Sequence, residues 1–437
     1  MLKTLKIPTS DLCIGMYISG LDRPWLETPF ITQGFLIERP EDIRDLQKYC
    51  ESVYIDSRRS ALPGTVVRRE STPLARPAEP PKRPRPQQDA DQGSAKKLRD
   101  RPRIPLSHIF LGRTLKAYRD DSAWEEEQPR AQRMLNTLIG DIDDIFENVS
   151  AGAKLDVIKL RKSVEPLVDS ISRNPDACLW VSRLKDHDQY TYHHALSAAM
   201  WAVSLGRQLG LPRRDLRSLA MGCMLMDIGM LRVDRSLLQA ERKLTEEETA
   251  AVAQHVNHGL DILKECGILN KDVIDIVAHH HERFDGSGYP AGLSRDQIPP
   301  FARIAAIVDS YDAITSTRSY AKPISPSDAI KFLYGLRDQD FQAELVEAFI
   351  QAVGIYPAGT LVELSSGEVG VVVAEYRTRR LRPKVMLLLD EQKNRLPTAQ
   401  VIDLQEFAAA SGGAPLTIKT SLEPLAYGLD LARVSGL

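Results

Sequence analysis

The sequence has little of what marks several classes of protein. Aromatic residues make up 6% of its 437 residues, too few for the stacking platforms that hold single-stranded nucleic acids. The formal net charge is −2, so the chain lacks the broad basic excess of a general nucleic-acid-binding protein. Its longest apolar run, Ala195–Leu205, stops before Arg207 and is too short to cross a bilayer. We therefore expect no nucleic-acid polymer as partner and no membrane span.

Cysteine is also scarce, and its pattern contains no CxxC pair. An odd number of scattered cysteines predicts reduced thiols in a cytosolic protein. The N-terminal residues Met1–Lys6 contain no apolar segment of the kind found in signal peptides. We therefore expect a soluble, cytoplasmic protein without disulfides. The five cysteines are Cys13, Cys50, Cys178, Cys223 and Cys266.

Two regions precede the helical part of the chain. Residues 1–60 alternate short β-like runs with turns and include one predicted helix, Glu41–Cys50, which follows Pro40. We expect a small α+β domain there. Residues 61–105 are rich in Pro, Arg, Lys and Gln and cannot bury a core, which predicts an extended linker.

Helical periodicity dominates residues 106–355. Apolar residues recur every three or four positions, for example from Met134 to Phe146, so each helix has one apolar face, as in a bundle. From Gly359 the period changes to two, which predicts a small β subdomain at 356–405. Residues 406–437 show no clear period and are predicted to be a tail. The expected fold is mainly α, with an α+β domain before the bundle and a β appendage after it.

The most informative stretch is His279–Pro290, which contains three of the nine histidines in succession. The apolar residues before it predict a helix that ends here, and Asp285–Gly288 predicts a tight turn, because glycine adopts positive φ readily. Neighbouring side chains in mid-helix point about 100° apart, so adjacent histidines can both face one metal only at a helix end. The stretch alone leaves two interpretations open, a solvated histidine cluster and a metal site.

Residues 280–283, followed by residues 285–290, resemble the signature of HD-GYP domains. That family is a branch of the HD metal-dependent phosphohydrolases and acts on the bacterial second messenger cyclic di-GMP. The resemblance is close from about residue 190 to 322 and looser from about 132 to 356. It implies an HD-type helical bundle and a cyclic di-GMP phosphodiesterase.

The resemblance also implies metal ligands that project inward from several helices. Carried over position by position, these ligands are His194, Asp227, His255, His280, His281 and Asp309. In the family the aspartate matched by Asp227 bridges two ions, which makes Asp227 the implied catalytic residue. The same positions leave three other histidines outside the site, namely His193, His258 and His279.

Residue types of this kind suit phosphodiester hydrolysis. Two cations about 3.5–4 Å apart can ionise a water and clamp the phosphoryl oxygens. Imidazole and carboxylate suit Fe or Mn, so one or two such ions are implied. The family pattern further implies that Arg318 and Tyr320 hold substrate phosphates, with Lys322 as a candidate because Ala321 occupies the expected basic position. The motif turn is complete, with Gly288, Tyr289 and Pro290.

Two positions depart from the family pattern. Met226 stands where the family has the histidine of its His-Asp pair, and Met230 stands where a lysine usually follows. A thioether is a soft, neutral and poor ligand for Fe or Mn. Loss of the lysine removes a charge that would offset charge on the phosphate. The sequence leaves open a phosphodiesterase with an altered metal site and a catalytically inactive regulator that binds cyclic di-GMP or a protein.

A third function, an interaction adaptor acting through residues 1–60 and the Gly-Tyr-Pro turn, also stays open. The family is known for contacts with diguanylate-cyclase domains, which makes such a domain a candidate partner, and the resemblance is compatible with a homodimer. Residues 21–35 resemble an uncharacterised domain that precedes some HD-GYP domains. For Trp25 and Phe30 we prefer packing in a small core over a docking surface.

Overall fold

The structure is a computed structural model that describes residues 4–22, 35–37, 40–56, 60, 104–183, 190–240, 242–316, 322–375, 381–406 and 416–431. The chain divides into two compact units, and the boundary lies between His108 and Ile109. The predicted linker at 61–105 lies outside the described residues except at its last two positions, and so do Trp25 and Phe30.

Within its described residues, the first unit is a four-stranded antiparallel sheet with one complete helix. Its elements are β1 (Thr4–Pro8), β2 (Tyr17–Leu21), β3 (Phe35–Leu36), α1 (Pro40–Tyr49) and β4 (Ser52–Asp56), and the strand order is β1-β4-β2-β3. Proline suits the start of α1 because its fixed φ is helical and its missing N–H needs no partner there. Ile18, Leu46 and Val53 are fully buried and form the core of this unit. The predicted α+β domain is thereby confirmed.

The second unit is built mainly from helices, which confirms the predicted mainly α fold. After α2 (Leu106–Ile109) they are α3 (Trp124–Ser150), α4 (Val157–Arg173), α5 (Pro175–Arg183), α6 (Tyr190–Gln208), α7 (Arg213–Leu225), α8 (Arg235–Leu238), α9 (Glu246–Ala253), α10 (His255–Glu265), α11 (Lys271–His279), α12 (Pro300–Thr315), α13 (Pro326–Gly335) and α14 (Ala343–Val353). A 3₁₀ turn, Ile228–Arg232, follows α7.

The outer helices pack through apolar stripes, whereas the central ones are buried on most sides. The stripe on α3 includes Leu135, Leu138 and Ile142, and α3 packs against α4. α6 and α7 lie together at the centre, where a Cβ on Gly206 would lie 2.7 Å from the Cδ2 atom of Leu216. A side chain at this close crossing would therefore require the Leu216 side chain to move.

A five-stranded antiparallel sheet follows the bundle, in the order β8-β7-β6-β5-β9. Its strands are β5 (Leu361–Leu364), β6 (Val369–Ala374), β7 (Lys384–Leu389), β8 (Arg395–Asp403) and β9 (Ile418–Ser421). The predicted β appendage is confirmed, but the prediction of a tail from residue 406 is wrong for β9, which pairs with β5. β9 is a four-residue edge strand whose central residues are exposed, so it shows no apolar alternation.

Two further expectations can be compared with the described residues. All five cysteines are free, and Cys223 is fully buried. Among the described helices, none combines the length and apolarity needed to cross a bilayer.

Candidate metal centre

The six predicted ligands come together at the centre of the bundle. They form two groups, in each of which the potential ligand atoms lie within 4.8 Å of one another. The four-donor group is Asp227, His255, His280 and His281, and the three-donor group is His194, Asp227 and Asp309. Asp227 belongs to both groups: its Oδ1 lies 3.3 Å from His255 Nε2 and its Oδ2 lies 3.6 Å from His194 Nε2.

Asp227 lies at the break between α7 and the following 3₁₀ turn, with φ −102° and ψ 10°. This turn is pressed against the start of α10. A Cβ on Gly229 would lie 1.9 Å from the carbonyl oxygen of His255 and 2.5 Å from the backbone nitrogen of Gly259. Only glycine permits this approach, which brings the Asp227 carboxylate to His255.

His255 and His280 face each other with their Nε2 atoms 3.4 Å apart. Each ring uses Nδ1 on a backbone carbonyl: His255 on Val252 at 2.9 Å, and His280 on Val277 at 3.1 Å. A carbonyl only accepts, so both Nδ1 atoms carry a hydrogen. The two Nε2 atoms face each other and Asp227 Oδ1, which lies 3.3 Å from His255 and 3.7 Å from His280. Burial lowers the pKa of both rings, but at His280 the hydrogen bond to Asp227 outweighs burial and raises the pKa, so His280 carries the proton in this contact and His255 offers a lone pair. A metal ion bound here would replace that proton.

His281 completes the four-donor group because α11 ends at His279. Its ring stacks on the Tyr289 ring with centroids 4.7 Å apart and planes at 28°, and its Nδ1 lies 3.9 Å from Asp309 Oδ2. His279 turns elsewhere, with Nδ1 3.9 Å from Glu282 Oε1. The helix end thus lets two of the three consecutive histidines face the centre.

In the three-donor group, His194 Nε2 lies 3.0 Å from Asp309 Oδ1 and 3.6 Å from Asp227 Oδ2. Its other ring nitrogen, Nδ1, lies 2.7 Å from Asp312 Oδ2. Asp312 is 1% exposed and lies one helical turn beyond Asp309 on α12. A carboxylate on the far nitrogen fixes the orientation of a ligating histidine. Sequence reasoning missed Asp312, although its i+3 spacing from Asp309 was a usable signal.

The pKa values of the histidines in the centre are shifted in both directions. Burial lowers the pKa of His194, but its bonds to Asp309 and Asp312 outweigh burial and raise it well above its ordinary value. Burial, together with the nearby His280, lowers the pKa of His281 to about 3. His281 is therefore neutral, the form that binds a metal, whereas the proton on His194 must leave before Nε2 can coordinate an ion.

The carboxylates of the centre are ionised. Burial alone would raise the pKa of Asp309, but the hydrogen bond and charge of His194 lower it to about 2. Burial opposes ionisation of Asp227 as well, and His280 and the other histidines around it hold its pKa far below the usual range. Two carboxylates thus remain charged in a buried site and favour a bound cation.

The loop after the histidines is held by Glu282, whose role the sequence did not reveal. This glutamate is 1% exposed, and its two carboxylate oxygens accept from the backbone N–H groups of Ala291 at 2.8 Å and Leu293 at 3.0 Å. A Cβ on Gly288 would lie 2.4 Å from the carbonyl oxygen of His281. Glu282 and Gly288 therefore hold the loop, with Tyr289, against the ligand-bearing backbone.

The remaining predicted residues differ in their burial and in whether the structure describes them. Met226 is fully buried beside Asp227, and Met230 is half-buried on the 3₁₀ turn. Lys322 is exposed, whereas Arg318 and Tyr320 lie outside the described residues. His258 lies on α10 outside both donor groups, and the side chain of His193 is outside the description.

Three segments of the chain match known domain families. Residues 180–345 match an HD domain, residues 4–160 a domain of unknown function (DUF3391), and residues 361–409 a KOW domain associated with HD domain. The motif-bearing helices and the C-terminal sheet therefore match separate families.

The chain is similar to cyclic di-GMP phosphodiesterase PA4108 of Pseudomonas aeruginosa, with 31% identity over 91% of this chain and 88% of the relative. It is 28% identical to 3'3'-cGAMP-specific phosphodiesterase 2 of Vibrio cholerae, over 50% of this chain and 40% of that protein. A solved structure, Bd1817, an HDG"Y"P protein from Bdellovibrio bacteriovorus, is 16% identical, covers 79% of this chain and 98% of that chain, and gives a TM-score of 0.44.

Proposed function

The chain belongs to the HD-GYP family of HD domain proteins, and on this premise we propose that it is a metal-dependent phosphodiesterase that hydrolyses cyclic di-GMP, with a metal centre altered at Met226 and Met230. The relative that supports this substrate is similar over nearly the whole chain and is named for cyclic di-GMP. Activity in this family depends on divalent ions, and such a dependence would explain why imidazoles and carboxylates cluster in a buried site.

The observation that carries the proposal is the meeting of the His255 and His280 Nε2 atoms, 3.4 Å apart and both near Asp227. Imidazole and carboxylate donors fit Fe or Mn, and the four-donor group has a full set for one ion. The three-donor group would hold a second ion more weakly, because it has one donor fewer and Met226 occupies the sequence position where the family has an imidazole. One or two ions per chain are therefore proposed.

When bound, such an ion lowers the pKa of a water and offsets charge on phosphoryl oxygens. The chain's own residues set the geometry of this chemistry. Asp227 is proposed to bridge the two sites, and Asp312 holds His194 so that its Nε2 faces inward. The exposed edge of Tyr289, stacked on His281, borders the site where a nucleotide would bind. Arg318, Tyr320 and Lys322 are proposed to hold its phosphates.

Because residue 230 is a methionine, we expect slow turnover of cyclic di-GMP. A cationic side chain at this position would offset charge as it builds on the departing oxygen, and a thioether cannot. The second candidate function, a catalytically inactive regulator that binds cyclic di-GMP or a diguanylate-cyclase domain, is favoured by these two methionines alone. A homodimer is compatible with either function.

Metal content and hydrolysis test the proposal together. Purified protein should retain at least one Fe or Mn ion per chain in elemental analysis and convert cyclic di-GMP to a linear dinucleotide or GMP, as followed by chromatography. His280→Ala should lose both properties. His279→Ala is the matched control, because the neighbouring histidine lies outside both donor groups and its loss should leave metal content unchanged.

Two outcomes would redirect the proposal. If no product forms over hours at high protein with saturating Mn²⁺ or Fe²⁺ while calorimetry still shows cyclic di-GMP binding, the regulator is the correct function. If 3'3'-cGAMP is cleaved and cyclic di-GMP is not, the reaction class stands and the proposed substrate is wrong.

A further inference from the structure

Arg113 joins the beginnings of three helices that supply the metal centre. Its Nε donates to Asp215 Oδ2 at 2.7 Å, and its Nη2 donates to both carboxylate oxygens of Asp272, at 2.9 and 2.8 Å. Its guanidinium carbon lies 4.5 Å from the centroid of the Phe301 ring. Asp215, Asp272 and Phe301 lie in the first turns of α7, α11 and α12. One side chain therefore contacts three helix starts.

Each of these helices leads from Arg113 to a ligand. α7 ends just before Asp227, α11 ends at His279 and is followed by His280 and His281, and α12 carries Asp309. His280 is eight positions after Asp272, and Asp309 is eight positions after Phe301, so these two ligands lie about 12 Å along their helices from the contact with Arg113. The contacts lie far outside any direct coordination of an ion.

The chemistry of this contact suits a rigid joint. A guanidinium is planar, stays charged, and can bond two carboxylates on different edges while its face lies on an aromatic ring. The side chains of Arg113, Asp215 and Asp272 are 18%, 3% and 31% exposed, so water competes weakly for the bond to Asp215 and more strongly for those to Asp272. Both carboxylates also lie at helix N-termini, where negative charge is favourable.

Small rotations at this joint matter at the metal centre. A tilt of about 1° over 12 Å moves a ligand atom by about 0.2 Å, which is the whole tolerance of a metal–ligand distance. Three helices that pivoted separately would therefore lose coordination long before they lost packing. The segment that carries Arg113 is further fixed by Phe110, whose ring centroid lies 6.3 Å from that of Phe301.

We propose that Arg113 is a positioning residue for the metal centre, which holds α7, α11 and α12 in the register that lets Asp227, His280 and Asp309 share their ions. This proposal rests on the metal centre proposed above. It assigns no contact with metal or substrate to Arg113. It requires that the loss of Arg113 weaken metal binding in a chain that stays folded.

The test compares Arg113→Met with Arg173→Met. Arg173 makes a similar pair, with Nε 2.8 Å and Nη2 2.7 Å from the Glu127 carboxylate, but it joins α3 and α4, which carry no ligand. Mn²⁺ affinity is measured by titration calorimetry in the full chain, unfolding is measured in urea, and the visible absorption of bound Co²⁺ reports the coordination geometry. Arg113→Met should weaken Mn²⁺ binding about tenfold or more and change the Co²⁺ spectrum, as changes beyond the ligand shell do.

The control should lose stability and keep both metal readouts. Native Mn²⁺ affinity in Arg113→Met, or an equal loss in Arg113→Met and Arg173→Met, overturns the proposal. If Arg113→Met does not fold, Arg113→Lys takes its place, because an ammonium keeps the charge but cannot bond two carboxylates as the guanidinium does. Native Mn²⁺ affinity in Arg113→Lys overturns the proposal as well. A native chain that binds no Mn²⁺ overturns the metal centre itself, so the two failures are distinguished.

Discussion

Gly229→Ala should remove metal binding by a displacement whose size can be worked from the structure. The new Cβ would lie 1.9 Å from the carbonyl oxygen of His255, whereas an ordinary contact needs at least 3.4 Å. The Asp227 turn and the start of α10 must therefore separate by about 1.5 Å, several times the 0.2 Å tolerance of a metal–ligand bond. Asp227 and His255 could then no longer share an ion.

The expected result is a loss of Mn²⁺ affinity of about a hundredfold or more, the upper end of what changes outside the ligand shell produce. Overpacking should also lower the free energy of unfolding by about 1–3 kcal/mol. Calorimetric titration with Mn²⁺ measures the first effect and urea unfolding the second. Because the backbone obstructs the new methyl group, no side-chain rotation can relieve the conflict.

Gly140→Ala is the matched control. It lies within α3, and a Cβ there would meet nothing within 4 Å. The substitution should stabilise the protein by about 0.5–1 kcal/mol, because alanine loses less backbone entropy than glycine in a helix, and should leave Mn²⁺ binding unchanged. A folded Gly229→Ala protein that binds Mn²⁺ as the native chain does would refute the reasoning.

Three further outcomes are expected. Met226→His should restore a fourth donor to the three-donor group and tighten binding of a second Mn²⁺ by about tenfold or more, measured as stoichiometry and affinity; unchanged stoichiometry would contradict it. Glu282→Gln should replace one of two buried acceptors by a donor, cost about 1–3 kcal/mol locally, and speed hydrogen exchange of the two loop amides that it holds; native exchange rates would count against this. Burial would raise the pKa of Glu127, but the bonds from Arg173 outweigh burial and hold this pKa below its ordinary value of 4.5. The Glu127 carboxylate therefore stabilises the fold above pH 4.5, and this contribution is lost as the pH falls through the lowered pKa. The stability gap between native and Glu127→Gln proteins in urea should therefore be about 2–3 kcal/mol at pH 7 and shrink in acid; a gap that does not change with pH would show the reasoning to be wrong.

Local patterns in the sequence predicted much of this molecule. The helix of the first unit, the apolar stripes of α3 and α4, and the change to period two near Gly359 depend on neighbours a few residues apart, and the structure has an element at each place. The six proposed ligands were carried over from a motif that is itself local in each of its parts. The structure brings them together, and their role as ligands stays a prediction.

What sequence reasoning missed depends on contacts between distant residues. Arg113 is separated from Asp215 by 102 positions and from Asp272 by 159, and no periodicity connects them. β9 was missed because a short exposed edge strand needs its partner β5 to be recognised. Asp312 is the exception, since its spacing from Asp309 placed it on the same helix face.

The position of Arg113 has a practical consequence for work on shortened proteins. The part that matches an HD domain, residues 180–345, contains all six proposed ligands but neither Arg113 nor the Glu127–Arg173 pair. A truncated protein cut at those limits would keep every residue that a motif search identifies and lose the side chain that joins three helix starts. Weak activity in such a fragment would then reflect the choice of boundary as much as the two methionines.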